Sequence, residues 1–372
     1  PSIGVTTTDS QAAAPLDDIH GSWPLPYFDH RRGNYTPESA GPTTPMQELW
    51  RHRVPTSLSR VIVAGDNSLF VGGDDGLLRA IDARSGAHRW QRNVGSAAGT
   101  PRFRDGLLYI PTAGGITALD VTTNEHVWRI TDPARVGLVI APHGVYYVSK
   151  GDPPILVSLR LDNGEERWRA ELGQPWTPTL FAANDHILVS TGTHERVPWL
   201  FSADSGEYLL PFRPEPGGSD MGDERFILHD HVISVDPMFG EVHAAKIDGG
   251  TYSRVWQRSI DAVGGFAIAG GRDRVFFGAH RGSEAGLYAL ELATGEIEWQ
   301  LQEQIEVVGR PTVGTEALLV RTADSLRAYN PSTGAERWRR SPEGIGSHFV
   351  LVDDLLFTAR NSVVRAFRPT ET

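Results

Sequence analysis

The stretch that decides the fold is Ala80–Trp90, AIDARSGAHRW, because the chain repeats it with small changes along most of its length. The other copies are Ala118–Trp128, Ser158–Trp168, Leu200–Leu210, Ala245–Trp256, Ala289–Trp299 and Ala328–Trp338. The copy that ends at Leu210 carries leucine in the tryptophan position, and the copy from Ala245 is one residue longer than the rest. Successive tryptophan positions are about forty residues apart, a period typical of repeat architectures.

The two ends of the sequence hold complementary halves of one further repeat. Trp50 closes MQELWRHRV with no alanine-headed turn before it, and Ala366 heads VVRAFRPTET with no tryptophan after it. Joined together, these halves complete eight units. We therefore predict a leader and lead-in segment over 1–44, with the leader flexible, and one ring-shaped domain over 45–372, closed by pairing of the N-terminal strand with the C-terminal unit.

Each unit has room for four short strands. In the unit from Thr100 to Ile130, the runs TPRF, LLYIPT, ITALDV and HVWRI are separated by turns rich in Gly, Asp and Asn. Alternation with a period of two predicts strands and not helices. Four strands per forty residues, repeated radially, predict an all-β fold, an eight-bladed β-propeller of four-stranded antiparallel blades.

Composition narrows the function classes. Thirty-five basic residues against 46 acidic ones give a formal charge of −11, which argues against nucleic acid as a partner because phosphate binding needs clustered cations. Only Lys150 and Lys246 are lysines, and this arginine-rich, acidic balance is typical of a salt-tolerant or GC-rich source. The absence of cysteine excludes disulfides and thiolate sites. No apolar run approaches the roughly 18 residues of a membrane span.

The signature A-x-D-x-x-[ST]-G-x-x-x-W resembles the tryptophan-docking motif of PQQ-like, quinoprotein-type β-propellers, and Trp23-Pro24 ahead of the first strand is similar to the opening of such proteins. The resemblance covers nearly everything after about residue 45. It implies the propeller fold, and it is shared by quinone enzymes and by non-enzymatic scaffolds, including the propeller lipoprotein of outer-membrane assembly. The motif therefore leaves the function open.

Physical chemistry accounts for the motif. A tryptophan side chain buries about 150–250 Å², and its flat ring needs a partner surface without side chains, such as the motif glycine. We predict that seven tryptophans dock one blade on the next: Trp50, Trp90, Trp128, Trp168, Trp256, Trp299 and Trp338. The seam that follows Leu210 is expected to be the softest.

The residues that resemble catalytic or metal-binding patterns are better explained by structural roles in the repeat. His229, Asp230, His231 and Asp236 form the richest candidate ligand set, but the repeat places them at the turn between the first and second strands of a unit. His143 and His186 fall at equivalent turns, so the repeat explains these histidines without a metal. GGDDG at 72–76 is predicted as the turn between second and third strands, with no helix after it to cradle a phosphate. We predict no catalytic residue, no bound cofactor and no metal.

Ligand sites of propellers usually lie at the mouth of the channel, where loops from several blades converge. The loops that lead into the inner strands carry Arg135, Trp176, Asp220, Arg310 and His348. The loops between second and third strands vary most, and one of them, 192–199, contributes His194 and Trp199. These seven residues form the candidate rim, although each by itself is also explained as an ordinary solvated loop residue.

Three functions follow from this reading. The favoured one is a non-catalytic, exported scaffold, monomeric and tethered at the periplasm or cell surface by a lipid anchor upstream, that binds a protein partner through its face loops. The second is a PQQ-dependent dehydrogenase, whose usual calcium ligands and aspartate base cannot be placed residue by residue. The third is carbohydrate binding, with Trp176 and Trp199 stacking on sugar rings.

Overall fold

The computed structural model describes residues 35–95, 100–134, 138–173, 178–183, 185–191, 199–211, 224–236, 240–248, 251–260, 266–279, 286–301, 305, 307–346 and 348–370. Within these ranges the chain forms strands and turns but no helix, and hence no helix that could span a bilayer. The strands group into eight antiparallel sheets of four, each ordered from an inner to an outer strand, as the repeat predicted.

Seven blades are formed from consecutive strands. Blades 1 to 4 comprise β2 Leu58–Gly65, β3 Ser68–Gly73, β4 Leu77–Asp82 and β5 His88–Asn93; β6 Arg102–Arg104, β7 Leu107–Thr112, β8 Gly115–Asp120 and β9 His126–Ile130; β10 Val139–Ala141, β11 Gly144–Val148, β12 Ile155–Leu159 and β13 Glu166–Glu171; β14 Pro178–Ala183, β15 His186–Thr191, β16 Trp199–Ser202 and β17 Tyr208–Pro211. Blades 5 to 7 comprise β18 Glu224–Leu228, β19 His231–Asp236, β20 Glu241–Asp248 and β21 Thr251–Ser259; β22 Phe266–Gly270, β23 Arg274–Ala279, β24 Gly286–Glu291 and β25 Ile297–Leu301; β26 Thr312–Val313, β27 Leu318–Arg321, β28 Leu326–Tyr329 and β29 Glu336–Arg340.

Blade 8 is assembled from both ends of the chain. Its inner strands are β30 Phe349–Val352, β31 Leu355–Arg360 and β32 Val363–Pro369, and its outer strand is β1 Met46–Arg53. Trp50 lies opposite Ala366, just as Trp90 lies opposite Ala80 in blade 1. The predicted closure by pairing of the N-terminal strand with the last blade is therefore confirmed.

The middle strands differ from the predicted alternation. In β8 the residues Gly115–Leu119 are all buried, whereas the outer strand β9 alternates between exposed and buried positions except at its first two residues. A middle strand packs against a neighbouring blade on each face, so both of its faces are apolar. Period-two alternation survives mainly in the outer strands, which solvent reaches.

The motif turn is held by its Asp or Asn side chain. In blade 1, Asp82 Oδ1 accepts the backbone N–H groups of Arg84 at 3.1 Å and Ser85 at 2.9 Å, and Gly86 follows with φ +71°. In blade 2 the backbone N–H of Thr123 is the main cause that lowers the pKa of Asp120. These bonds fix a left-handed turn that favours glycine at the Gly86 position.

Each of the seven predicted tryptophans donates its indole Nε1–H to a backbone carbonyl in the next blade. The acceptors are Ala83 for Trp50 (3.0 Å), Val121 for Trp90 (3.0 Å), Leu161 for Trp128 (2.9 Å), Ala203 for Trp168 (3.1 Å), Leu292 for Trp256 (2.7 Å), Pro331 for Trp299 (3.0 Å) and Pro42 for Trp338 (2.9 Å). The ring lies on the motif glycine: a Cβ built on Gly334 would be 2.8 Å from Trp299 Cδ2. Only a residue without a side chain permits this approach.

The last docking contact is made to a motif that is divided between the two chain ends. Ala366 supplies the small residue opposite Trp50, and the lead-in segment, residues 35–45, supplies the Pro42 carbonyl that Trp338 contacts. Thr370 N–H donates to Pro45 O at 2.8 Å, which joins the two pieces. The described part of the lead-in segment therefore packs against blades 7 and 8.

Two details of the repeat are decided by the hairpins. Trp256 lies opposite Ala244, so the head of the copy in blade 5 is Ala244 and the sequence alignment on Ala245 was wrong by one residue. A tight hairpin in which Asp248 faces Thr251 replaces the usual motif turn there and moves the register. In blade 4, Leu210 lies opposite Leu200, and the softness expected of that seam stays a prediction.

A second interblade contact, not evident in the sequence signature, comes from arginines two residues after tryptophan. Arg92 Nε donates to Asn124 Oδ1 at 3.1 Å, and Arg258 Nε donates to Gly295 O at 2.9 Å. Arg340 Nη1 reaches Met46 O at 2.7 Å across the closing seam. Each arginine therefore adds a polar contact with the next blade, two residues along the outer strand from the tryptophan.

Replacing Arg258 by methionine is expected to lower the free energy of unfolding by about 1–2 kcal/mol, because a charge-assisted hydrogen bond to the Gly295 carbonyl is lost while most of the side-chain volume stays. Chemical denaturation measures this. The matched control is Arg254→Met on the same strand, whose guanidinium contacts only Gln257 at an exposed position. Equal losses in the two variants would contradict the interblade role.

Candidate functional site

The strand topology defines two faces of the ring. Because neighbouring strands are antiparallel, the connection into each inner strand and the hairpin between second and third strands emerge on one side. We call this side the upper face. The lower face carries the hairpins between first and second strands and the motif turns. The candidate rim predicted from the sequence belongs to the upper face.

The histidine cluster of blade 5 lies on the lower face, at the predicted turn. His229 stands between β18 and β19, and its Nε2 is 2.6 Å from Arg272 O of the next blade. Asp230 Oδ2 is 2.8 Å from Lys246 Nζ. His143 occupies the equivalent turn of blade 3, with Nε2 3.1 Å from Asp185 Oδ1 of blade 4. His229 and His143 thus connect neighbouring blades at their lower turns, whereas the Asp230–Lys246 pair lies within blade 5.

The structure describes three of the seven predicted rim residues. Arg310 and His348 lie in the connections into β26 and β30, both half-buried, and so take the predicted place on the upper face. Trp199 belongs to β16 and not to the loop assigned to it, because its backbone pairs with Val189 and Pro211. Its ring packs edge-on against Tyr208 at 6.4 Å. Arg135, Trp176, Asp220 and His194 lie outside the described residues.

The upper-face hairpin of blade 1 is held by an ion pair. Arg79 is buried in β4, and its Nη1 donates to Asp75 Oδ1 at 3.1 Å while Nη2 donates to Asp75 Oδ2. The Arg79 guanidinium holds the pKa of Asp75 below its usual value. The turn at 72–76, predicted to lie between second and third strands, is thus confirmed, and its Asp75 is paired with Arg79 of the following strand.

The upper-face hairpin of blade 7 pairs with the connection that leads into the same blade. Val307 bridges to Thr322, and Val308 N–H donates to Arg321 O at 2.6 Å, so the connection into β26 runs beside the end of β27. At the tip, Thr322 Oγ1 donates to Asp324 Oδ1 at 2.6 Å and Ser325 Oγ donates to the same oxygen at 2.9 Å. This network fixes the tip and the Asp324 carboxylate.

Sequence reasoning missed Arg321, the last residue of β27. It stands two positions after the residue opposite the motif head, a place that the pairing registers define in every blade. The equivalent residues of the other blades are uncharged: Gly72, Pro111, Val148, Ser190, Val235, Gly278 and Ala359. An alignment of the second strands, in addition to the tryptophan motifs, would have revealed this exception.

The resemblance to quinone-type propellers raises the question of whether the residues of this chain could bind a quinone together with a calcium ion. Such a site needs several carboxylate or amide oxygens that converge on one ion. Over the described ranges, no three or more His, Asp or Glu side chains converge in this way. Arg310 and Arg321 place positive charge on this part of the upper face.

Comparison with known families identifies the repeat. The family model described as outer membrane protein assembly factor BamB matches residues 46–175, 113–209 and 239–367, which is most of the ring. The chain belongs to this family. The matched ranges contain all seven docking tryptophans of this BamB-family propeller, so the family match and the docking geometry rest on the same residues.

Curated relatives of this BamB-family propeller include outer membrane protein assembly factors and an alcohol dehydrogenase. The outer membrane protein assembly factor BamB of Shewanella oneidensis is 35% identical over 126 residues, which cover 32% of this chain and 32% of that protein. A quinohemoprotein alcohol dehydrogenase of Pseudomonas putida, ADH-IIG, is 25% identical over 211 residues, 45% of this chain and 27% of that protein. The matches span between 27% and 49% of the length of the curated relatives.

A solved structure agrees in fold. The crystal structure of BamB from Moraxella catarrhalis superimposes with a TM-score of 0.62 at 14% identity, over 87% of this chain and all of that chain. At this identity the likeness concerns the fold alone. The BamB-family assignment of the present chain therefore rests on the family model.

Proposed function

We propose that this chain is a non-catalytic scaffold of the cell envelope that binds a protein partner through the loops of its upper face. Membership of the BamB family is the observation that carries the proposal. The names of three relatives, outer membrane protein assembly factors, associate this type of propeller with assembly at the outer membrane. A monomeric propeller, exported and tethered by a lipid anchor upstream, completes the proposal.

Site-specific photocrosslinking in the native envelope tests the upper-face assignment. A photoreactive residue is placed at Asp74 or Glu343, both exposed on the upper face, and at Thr122, exposed in a lower-face motif turn, as the matched control. We expect a discrete crosslinked protein from the upper positions and none from Thr122. Equal crosslinking from both faces, or none from either, would contradict the proposal.

A quinone-dependent dehydrogenase is the second candidate, favoured by the match to the Pseudomonas putida alcohol dehydrogenase. Addition of PQQ and calcium to the purified chain, followed by absorbance spectroscopy and a dye-linked alcohol oxidation assay, separates the two. For a scaffold we expect no new absorbance band and no oxidation. A band together with turnover would replace the scaffold by the enzyme.

A further inference from the structure

The clearest feature of the upper face that the proposed function has not used is Arg321. Its position in the blade lies against the neighbouring blade: in blade 6 the equivalent residue is Gly278, where a Cβ would be 2.4 Å from Val307 Cγ2. Five of the equivalent residues are buried in their blades. Blade 7 therefore places a guanidinium where the repeat otherwise places a small or apolar side chain.

Arg321 has no partner for most of this guanidinium. Its Nε and Nη1 atoms are buried and make no hydrogen bond to any residue in the described part of the chain. The nearby Asp324 carboxylate is bonded to Thr322 and Ser325 and lies 3.7 Å from Arg327 Nη2. Arg321 as a whole is half-buried, and its Nε and Nη1 atoms lack an acceptor. Buried donors without a partner are unfavourable in general, so an anion from outside would supply the acceptor that these two atoms lack.

A second cation ends the equivalent strand of the next blade. Arg360 ends β31 in blade 8, is exposed, and makes no ion pair with the described residues. Burial is the main cause that lowers the pKa of Arg321; the positive charge of Arg360 lowers it further, and the Asp324 carboxylate raises it. Other arginines of the blades are paired, as Arg274 is with Glu298 and Arg79 with Asp75.

Two further residues with basic side chains lie on the upper face: Arg310 in the connection from blade 6 into β26 of blade 7, and His348 in the connection from blade 7 into β30 of blade 8. Arg321 and Arg360 thus place two positive charges at the upper ends of successive blades in a chain whose formal charge is −11. An extended polyanion such as nucleic acid would meet the repulsion of the acidic surface around this group. One or two carboxylates match two guanidiniums, which bind carboxylates in bidentate geometry.

We propose that Arg321 and Arg360 form a carboxylate-binding site for an acidic side-chain segment of the protein partner. This proposal rests on the proposed function, because it names the chemistry by which the upper face recognises its partner. In the free protein the Arg321 guanidinium stays unpaired, and a carboxylate of the partner binds to it between blades 7 and 8.

The test measures binding of a fluorescein-labelled peptide, Gly-Glu-Asp-Glu-Gly, to the whole chain by fluorescence anisotropy at low ionic strength. We expect Arg321→Met and Arg360→Met each to weaken binding at least about tenfold, the effect of losing one charge-assisted contact. The uncharged control peptide, in which glutamine and asparagine replace the acidic residues (Gly-Gln-Asn-Gln-Gly), is expected not to bind. Added salt is expected to weaken the binding of the acidic peptide. Arg104→Met, on the lower face beside Asp105, is the matched control and is expected to bind normally.

Thermal melting separates a binding role from a structural one. Removal of the half-buried, unpaired guanidinium is expected to leave the melting temperature of Arg321→Met unchanged or higher, while peptide binding falls. A melting temperature that drops together with binding would make Arg321 structural, and unchanged binding in both Arg321→Met and Arg360→Met would overturn the site. Arg360 is exposed, so its variant remains informative if Arg321→Met fails to fold.

Two outcomes distinguish this inference from the proposed function. If upper-face crosslinking is observed but neither arginine substitution changes the affinity for the acidic peptide, the carboxylate site is wrong and the proposed scaffold function is unaffected. If the peptide depends on the arginines and no protein is crosslinked, the anion site stands without a protein partner. Citrate serves as the small-molecule arm: Arg321-dependent citrate binding without peptide binding would contradict a peptide ligand.

Discussion

Replacing Trp299 by alanine is expected to lower the free energy of unfolding by about 3–5 kcal/mol. The indole lies on Gly334 of blade 7, donates its Nε1–H to Pro331 O at 3.0 Å, and contacts the ring of Phe276 at a centroid distance of 5.9 Å. Alanine removes this interblade surface and leaves the Pro331 carbonyl without its donor. Denaturant titration followed by circular dichroism measures the loss.

Gln300→Ala is the matched control, because Gln300 is the exposed next residue of the same strand, and a change within about 0.5 kcal/mol is expected there. A double-mutant cycle sharpens the test. Gly334→Ala is expected to be costly beside Trp299, where a Cβ would be 2.8 Å from the ring, and less costly in the Trp299→Ala background. Additive losses would show that the ring does not dock on Gly334.

Removing residues 35–45 is expected to destabilise the ring by more than about 3 kcal/mol, measured by comparing chains that begin at Tyr35 and at Met46. The deletion takes away the Pro42 carbonyl that accepts from the buried Trp338, and the Ala40 carbonyl that accepts Glu316 N–H at 2.8 Å and Ala317 N–H at 3.0 Å. A buried indole N–H without an acceptor and an uncovered seam between blades 7 and 8 account for the size of the effect.

Trp338→Phe provides the control for this deletion. In the longer chain it is expected to cost about 1–2 kcal/mol, because the hydrogen bond to Pro42 O is lost. In the chain that begins at Met46 the same change is expected to cost less, since the acceptor is already gone. Equal unfolding midpoints for the two chain lengths would contradict a contribution of the divided motif to closure.

The rim illustrates how far sequence reasoning reached on the functional side. Arg310 and His348 were placed on the upper face because the connections into inner strands can be read from the repeat. Trp199 was assigned to a loop because the pattern marks where a strand ends only to within a few residues, and backbone pairing with Val189 places it in β16. Arg321 was not considered, since within one repeat it reads as an ordinary strand-end arginine.

The sequence by itself determined the number of blades, the strands within them, the docking tryptophans and the shared closing blade. Those features depend on local periodicity and on a motif whose small residue, Asp turn and Trp are set by short-range geometry. Only the tertiary structure decided the register of Ala244, the role of Pro42 and the isolation of the Arg321 guanidinium. Each of these depends on which neighbour a strand meets across a seam, and residues far apart in the chain supply that neighbour.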